Sequence, residues 1–538
     1  MKNINNTEKY DRYTGPLMVI KILTMRLKPQ NYYIEKSMRM RCQQVILMFI
    51  LIVVGWGCKH NTETQIDKVR EEASYSVPKI MGNYRQSKEE ETGGVKMGFE
   101  SAILYPDSSQ SELIFKWDNL SDKSFNEGAY FRLTLDSDLN SRQKFLLFTE
   151  GNELIDSMDI SLGTPFQLVQ CKIQGKYLPD VLKNGLKVRL KGKGGPVGVF
   201  THTALGLDNF LPHILIPGET SPREEFYKRM ASIAGLTEYG WQEGCVIDGI
   251  AKLSERAADG TRYKNSLEKH MSLIFPNNDS INHNYEKIGI EFTSCLAQLA
   301  LWKPEHPEIE HVLNFWESKT DSAGVIKNGN TIVAEGNYTV AWPLAVISQQ
   351  LNKPELADIA INQLRFRRDY LIDKQGAIWL RYNFATQERT FRLWSRGLTW
   401  YVLGLAKTLD VLPNPPQDLI EELQRATDYL ISIQGEDGMW SVFAGDSLTA
   451  PETSGTCGIG TAMAIGVRRG WLGKNAKAAA VLALQGVEKR LTADGYLDGV
   501  AEENKGGIAF QRETKGSICN WGMGLFAQLL AELDPPEN

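Results

Sequence analysis

Six short stretches beyond residue 238 gather side chains suited to moving protons and holding a sugar. They are YGWQEG with Trp241 and Glu243, HNYEKIG with Asn284 and Glu286, AEGNY with Glu335 and Tyr338, LWSRG with Trp394 and Arg396, PETSGT with Glu452, Thr453 and Ser454, and CNWG with Asn520 and Trp521. Carboxyl groups can donate and accept protons, and aromatic faces can stack on sugar rings. Each stretch reads as the start of a helix, where unpaired N–H groups and the positive end of the helix dipole favour an anion. Arg381, Arg389 and Arg392 lead into Trp394 and Arg396, and guanidinium groups suit capture of a carboxylate or sulfate. Together these side chains point to an acidic sugar.

Plainer readings stand beside this one. Glu452 and Ser454 fit ordinary helix capping. Trp241 and Trp400 fit a hydrophobic core, and Arg381, Arg389 and Arg392 fit a solvated loop. Arg396 can pair with a neighbouring acid, although a cation in the first turn of a helix opposes the dipole and asks for a specific partner.

A ring of helical hairpins would bring such helix starts together. Helical periodicity and breakers give segments starting near Pro222, Gly240, Thr261, Asn284, Pro307, Asn337, Pro354, Trp394, Pro416, Ser454, Asn475 and Gly516. Turns recur at Gly260, Gly324, Gly376, Gly438 and Gly495, which are 64, 52, 62 and 57 residues apart, the loose period of repeated hairpins. Such hairpins form either an open solenoid or a closed (α/α)6 toroid whose second helices line the inside. Unequal loops after Gly376 and Gly438 suit a pocket at one mouth of a toroid. Between 93 and 216, short β-type runs such as SELIFKW, YFRLTL and KFLLFTE alternate with turns, predicting an antiparallel β-sandwich. That region shows no convergent acid, His or metal pattern. The expected fold class is therefore α+β, a sandwich at 93–216 followed by an (α/α)6 toroid at 217–538.

Lys36, Arg39 and Arg41 precede an apolar run from Val45 to Val54, then Gly55, Trp56, Gly57 and Cys58, the order of a secretory signal. A Cys directly after a small residue at that boundary resembles the lipobox of bacterial lipoproteins. Residues 38–58 are expected to be that signal, with Cys58 the lipid attachment point in the cell envelope. Residues 1–37 read as a doubtful upstream segment and residues 59–92 as a polar tether. The remaining cysteines include no C-x-x-C, so neither a disulfide framework nor a zinc site is indicated. With 60 Lys and Arg against 65 Asp and Glu, the chain lacks the basic excess expected of a nucleic-acid partner.

LWSRGLTWYVLGLAKTL resembles the W-x-R-G-x-x-W helix of glycoside hydrolase families 88 and 105, the unsaturated uronyl hydrolases. PETSGTCGIGTAMAIGVRRGWL resembles their E-S-S-G-T segment, NWGMGLFAQLLAEL their closing helix, and YGWQEGCVIDGI their first inner one. The resemblance spans about residues 220–538 and leaves 93–216 uncovered. It implies an (α/α)6 toroid, a role in polysaccharide degradation, and no metal or other cofactor. The family's catalytic Asp falls on Glu335, Arg381 stands where a loop His is frequent, and Leu398 and Thr399 replace an Asn-Gly. An Asp near the second inner helix falls on Asn284 or close to Glu286. These departures keep the family 154 β-glucuronidases, which share the toroid, as an alternative.

The resemblance implies an exo-acting hydrolase that removes a terminal uronic acid, unsaturated or β-glucuronyl, from polysaccharide-derived oligosaccharides. For an unsaturated uronide a single acid, Glu335, would protonate C4 and then activate water at C5. A saturated glucuronide needs two carboxylates, for which Glu452, Glu286 or Glu243 would join Glu335. The catalytic candidates are thus Glu335, Glu452 and Glu286. The substrate-binding candidates are Trp241, Asn284, Tyr338, Arg381, Trp394, Arg396, Ser454 and Trp521. The expected partners are an acidic oligosaccharide and, through the lipid, a bacterial membrane. Two other classes stay open: a non-catalytic glycan-binding lipoprotein on the same scaffold, and an (α/α)6 polysaccharide lyase using Tyr382 beside Arg381.

Overall fold

A computed structural model describes residues 70–88, 98–108, 110–118, 129–276, 281 and 283–537. Cys58, the signal segment and the first part of the expected tether lie outside the described residues.

The N-terminal region is built from strands β1 (Ser74–Ser76), β2 (Lys79–Asn83), β3 (Arg85–Lys88), β4 (Phe99–Leu104), β5 (Glu112–Lys116), β6 (Ala129–Thr134), β7 (Gln143–Thr149), β8 (Leu154–Asp159), β9 (Leu168–Ile173), β10 (Leu186–Gly192), β11 (Val197–Thr203) and β12 (His213–Ile216). They form three antiparallel sheets, ordered β1-β12-β6-β9, β2-β5-β10-β7-β8 and β11-β4-β3. Side chains alternate as the pleat requires: Phe145 and Leu147 of β7 and Leu186, Val188 and Leu190 of β10 are buried, and they share one core with Phe115 and Phe131. The expected tether is corrected over residues 70–88. There β1 pairs with β12, β2 with β5 and β3 with β4. These polar strands are held by specific bonds that composition does not reveal. The Tyr75 hydroxyl donates to buried Asp494 at 2.9 Å, and the Trp117 indole donates to the Ser76 carbonyl at 2.8 Å.

The rest of the chain carries the helices α1 (Pro222–Met230), α2 (Trp241–Arg256), α3 (Thr261–Ile274), α4 (Cys295–Trp302), α5 (Pro307–Ser318), α6 (Trp342–Gln350), α7 (Pro354–Leu371), α8 (Ser395–Val411), α9 (Gln417–Ser432), α10 (Thr453–Arg468), α11 (Lys474–Glu488) and α12 (Asn520–Leu533). The even-numbered helices α2, α4, α6, α8, α10 and α12 form the inner ring: neighbours in that order pack on one another, and α12 returns onto α2 to close it. Closure depends on two glycines. A β-carbon on Gly249 would stand 2.4 Å from the Gly524 carbonyl oxygen, and one on Gly524 would stand 2.1 Å from that of Cys245. Inner helices are buried all round, as Ser395 to Leu409 of α8 show. Outer helices bury one stripe, as Leu419, Leu423, Ala426 and Leu430 of α9 show.

Capping explains several helix starts. Ser221 and Glu224 form a capping box around Pro222 at the head of α1. The turns at Gly324, Gly376, Gly438 and Gly495 have φ between 79° and 86°, each glycine N–H bonding to a carbonyl three residues back. Gly260 differs, lying in the right-handed region at φ −77°. The second inner helix also starts later than its sequence pattern predicts. A short turn at Tyr285–Ile288 ends at Gly289, a 3-10 turn covers Ile290–Thr293, and α4 begins only at Cys295.

The sheets and the helices meet through a buried charge cluster. Asp494 accepts from Arg132 at 2.6 Å, Arg229 at 3.2 Å and Tyr75, and Arg229 lies 3.8 Å over the Tyr496 ring.

Candidate active site

Glu335 follows strand β13 (Thr331–Val333) and precedes a π-helical turn, Asn337–Ala341, that runs into α6. The π turn has a local cause. Pro343 has no N–H to return to Thr339 as an α-turn would require. The Thr293 hydroxyl lies 2.6 Å from the Thr339 carbonyl and 2.9 Å from that of Ile290. Buried Arg367 donates to the Val333 carbonyl at 2.9 Å and fixes the strand from behind. Wide turns of this kind are frequent at functional sites, and this one presents a carboxyl at the head of an inner helix.

Strand β14 (Trp379–Asn383) pairs with β13 in a register that sets Arg381 opposite Val333, and the Ala334 N–H donates to the Leu380 carbonyl at 2.8 Å. Arg381 is thereby brought beside Glu335. Arg396, in the first turn of α8, donates to the carbonyls of Ala501 and Glu502, each at 2.5 Å. Its guanidinium stands 4.5 Å over the Trp394 ring and 5.7 Å over that of Trp241. These acceptors are the specific partner its position asks for. Because they are carbonyls, the positive charge is not cancelled by them.

Glu335, Arg381, Arg396, Trp241 and Trp394 line one cavity of about 200 Å³ together with Trp400, Glu291, Phe292, Glu503 and Asn504. That is below the roughly 300–1,000 Å³ of sites for drug-sized ligands, and it suits one sugar ring better than a chain of them. Glu335 is 8% exposed, and its Oε2 has no hydrogen-bond partner. Burial pushes its pKa up to about 7; the Glu291 carboxylate adds to the rise, while Arg381 and Arg396 oppose it. A carboxyl that titrates near neutrality can act as both acid and base. Glu291 itself accepts from Asn328 at 2.7 and 2.6 Å.

Other expected site residues lie elsewhere, each for a visible reason. Glu452 caps α10, accepting from the Ser454 N–H at 3.1 Å, the Ser454 hydroxyl at 2.5 Å, the Ala501 N–H at 3.0 Å and the Gly455 N–H. It is spent on structure, and Ser454 with it. Glu286 is exposed and pairs with Lys319 at 2.7 Å, while Asn284 caps the short turn before it. The Tyr338 hydroxyl donates to Asp248 at 2.7 Å deep in the ring. Trp521 is buried behind Trp241, the ring centroids 5.1 Å apart. Glu243 is held by His270 at 2.5 Å. Arg392 pairs with Asp373 at 2.9 Å, and Arg389 donates to the Tyr370 carbonyl at 2.7 Å.

Glu291, Phe292, Glu503 and Asn504 escape the sequence reading. Gly289 was the available signal for the first two: a glycine just past the short turn marks a break, which moves the inner helix and its preceding acid some residues on. Glu503 and Asn504 sit on a loop with no helical pattern to place them.

A closed ring of helices with an acid, two arginines and three tryptophans at one mouth has the form of a glycan-processing enzyme. Residues 222–535 match the model of Glycosyl Hydrolase Family 88. The chain belongs to that family and is a glycoside hydrolase. It is 23% identical over 274 residues to an unsaturated 3S-rhamnoglycuronyl hydrolase of Formosa agariphila, a match covering 45% of this chain and 71% of that protein. Among solved structures, a family 105 glycoside hydrolase of C. acetobutylicum is similar with TM-score 0.50 and 22% identity, covering 58% of this chain and 99% of that one. A possible family 105 member from Salmonella enterica is similar with TM-score 0.50 and 19% identity, covering 55% of this chain and 82% of that one. Both share the fold of the helical region.

Proposed function

We propose that this chain releases a terminal uronic acid from oligosaccharides by hydrating the C4=C5 bond of an unsaturated uronyl residue, with Glu335 as the single acid and base. The observation that carries this reading is Glu335 itself: a buried, protonatable carboxyl with an unpartnered oxygen, beside two arginines, in a cavity sized for one ring. The name of the Formosa agariphila relative supports the substrate class. Arg381 and Arg396 hold the substrate carboxylate. Glu335 gives its proton to C4, and the ring oxygen stabilises the cation formed at C5. The Glu335 carboxylate then takes a proton from water as the water oxygen bonds to C5. The resulting hemiketal opens and expels the leaving sugar, and Glu335 is again protonated.

Glu291 in the same cavity favours a second reading, acid-assisted cleavage of a saturated β-glucuronide with two carboxylates. Incubation with a lyase-generated unsaturated disaccharide, followed by ultraviolet absorbance of the conjugated double bond, separates them. Hydration predicts loss of absorbance. Unchanged absorbance, with glucuronic acid freed from a saturated glucuronide, would replace the first reading by the second.

The stacked sheets around one core support a β-sandwich at the N-terminal side of the toroid. The Gly57–Cys58 boundary supports a lipoprotein of the bacterial cell envelope, acylated at Cys58.

A further inference from the structure

Two pocket residues, Glu503 and Asn504, belong to the long loop between α11 and α12, and that loop is gripped from both sides. On the inner side the Gln511 amide donates to the Glu503 carbonyl at 2.7 Å, and the Gln242 amide donates to the Glu503 carboxylate at 2.9 Å. The outer grip comes from the β-sheet region. The Lys505 ammonium lies 2.5 Å from Asp138 and 3.3 Å from Glu503. Arg142 pairs with Glu513 at 2.8 Å, and the Leu168 N–H donates to the Ile518 carbonyl at 3.0 Å. At Gly506, with φ 71°, an added β-carbon would stand 2.3 Å from the Leu162 side chain, so the loop is moulded onto the sheets.

We propose that the β-sheet region is part of the active site: Asp138, acting through Lys505, holds the Glu503 carboxylate at the pocket as a specificity-determining contact for sugar hydroxyls. Asp138 and Lys505 are positioning residues. Lys505 touches both the sheet region's acid and the pocket's acid, and its charge offsets the repulsion between them. Without that bridge, among the described residues Gln242 alone is left to orient the Glu503 side chain, and Asp138 no longer anchors the loop. Glu503 contributes binding that is equal in ground and transition states, so its displacement raises KM rather than lowering kcat.

The inference rests on the reading of the Glu335 cavity as the substrate site, and the two are tested side by side on an unsaturated disaccharide. Lys505→Met and Asp138→Ala are expected to raise KM about fivefold or more, with kcat within about twofold. Lys505→Arg is expected to restore the wild-type KM. In a Glu503→Gln background, Asp138→Ala is expected to have no further effect on KM. Should Lys505→Met fail to fold, Asp138→Ala carries the test, because its side chain is 54% exposed. Unchanged KM in Asp138→Ala, or an equal effect of Asp138→Ala with and without the Glu503 carboxylate, would overturn the inference. An inactive Glu335→Gln beside normal Asp138 and Lys505 variants would sink this inference alone, whereas an active Glu335→Gln would sink the site reading beneath it.

Discussion

At the scale of single residues, the proposed chemistry turns on how Glu335 is charged. Burial is the largest influence on its pKa of about 7, and Glu291 pushes in the same direction. In the proposed mechanism the protonated form delivers the proton to C4, so the rate is expected to fall as pH rises through that value. Glu291→Gln removes a neighbouring negative charge, which lowers the Glu335 pKa and moves the alkaline limb of the kcat/KM profile to lower pH. The shift is expected to be about half a pH unit or more, read from pH–rate profiles of the two proteins. An unmoved limb would mean that Glu335 is not the titrating acid. Glu335, Arg396, Trp241 and Trp394 were legible in the sequence because residue type and helix-start position coincide there, and Arg381 because it stands in the arginine-bearing segment leading to Trp394. Glu452 shares both features yet is consumed by capping. What separates the two is hydrogen-bond saturation, and that depends on Ala501, a partner 49 residues away.

At the scale of elements, the turns matter more than the helices. The helices were legible from periodicity and breakers, since an outer helix such as α9 must bury a stripe and an inner one such as α8 is mostly apolar or small, with Arg396 and Lys407 the buried charges in it. The second inner helix was misplaced because HNYEKIG has a good cap at Asn284, and local capping chemistry there supports only a short turn ended by Gly289. The π turn after Glu335 was legible only as far as Pro343, which removes one α-helical donor. The turn also depends on the pairing of Thr293 with the Thr339 carbonyl across two inner elements. Thr293→Val keeps the side-chain shape and removes the hydroxyl. It is expected to cost roughly 1–2 kcal/mol in denaturant unfolding and to lower kcat by re-aiming Glu335. Wild-type stability and kcat in this variant would show that Pro343 alone sets the turn.

At the scale of the whole molecule, buried charge joins the sheets to the helices of the described chain. Burial alone would raise the Asp494 pKa, but Arg132 and Arg229 outweigh it and hold the carboxyl well below the usual carboxylate range. A depressed pKa contributes stability that is present above the unfolded value and is lost as pH falls through the acid range towards the folded one. Asp494→Asn leaves two buried guanidinium groups without their anion. It is expected to destabilise the protein by about 3–5 kcal/mol at neutral pH and to flatten the acid limb of its stability curve. A neutral effect in calorimetry would show that the sheets and the toroid are not coupled through this cluster. None of this could be read in the sequence, where Arg132 and Asp494 are 362 residues apart and β1 lies in a segment of tether-like composition.

The measurement that bears most directly on Glu335 is the rate of absorbance loss from an unsaturated uronyl disaccharide at pH 6, compared between wild type and Glu335→Gln. Glutamine keeps the shape of the side chain and cannot give or take the proton. A fall of about 100-fold or more with disaccharide binding retained is expected. A Glu335→Gln protein that turns over the disaccharide at the wild-type rate would contradict the assignment.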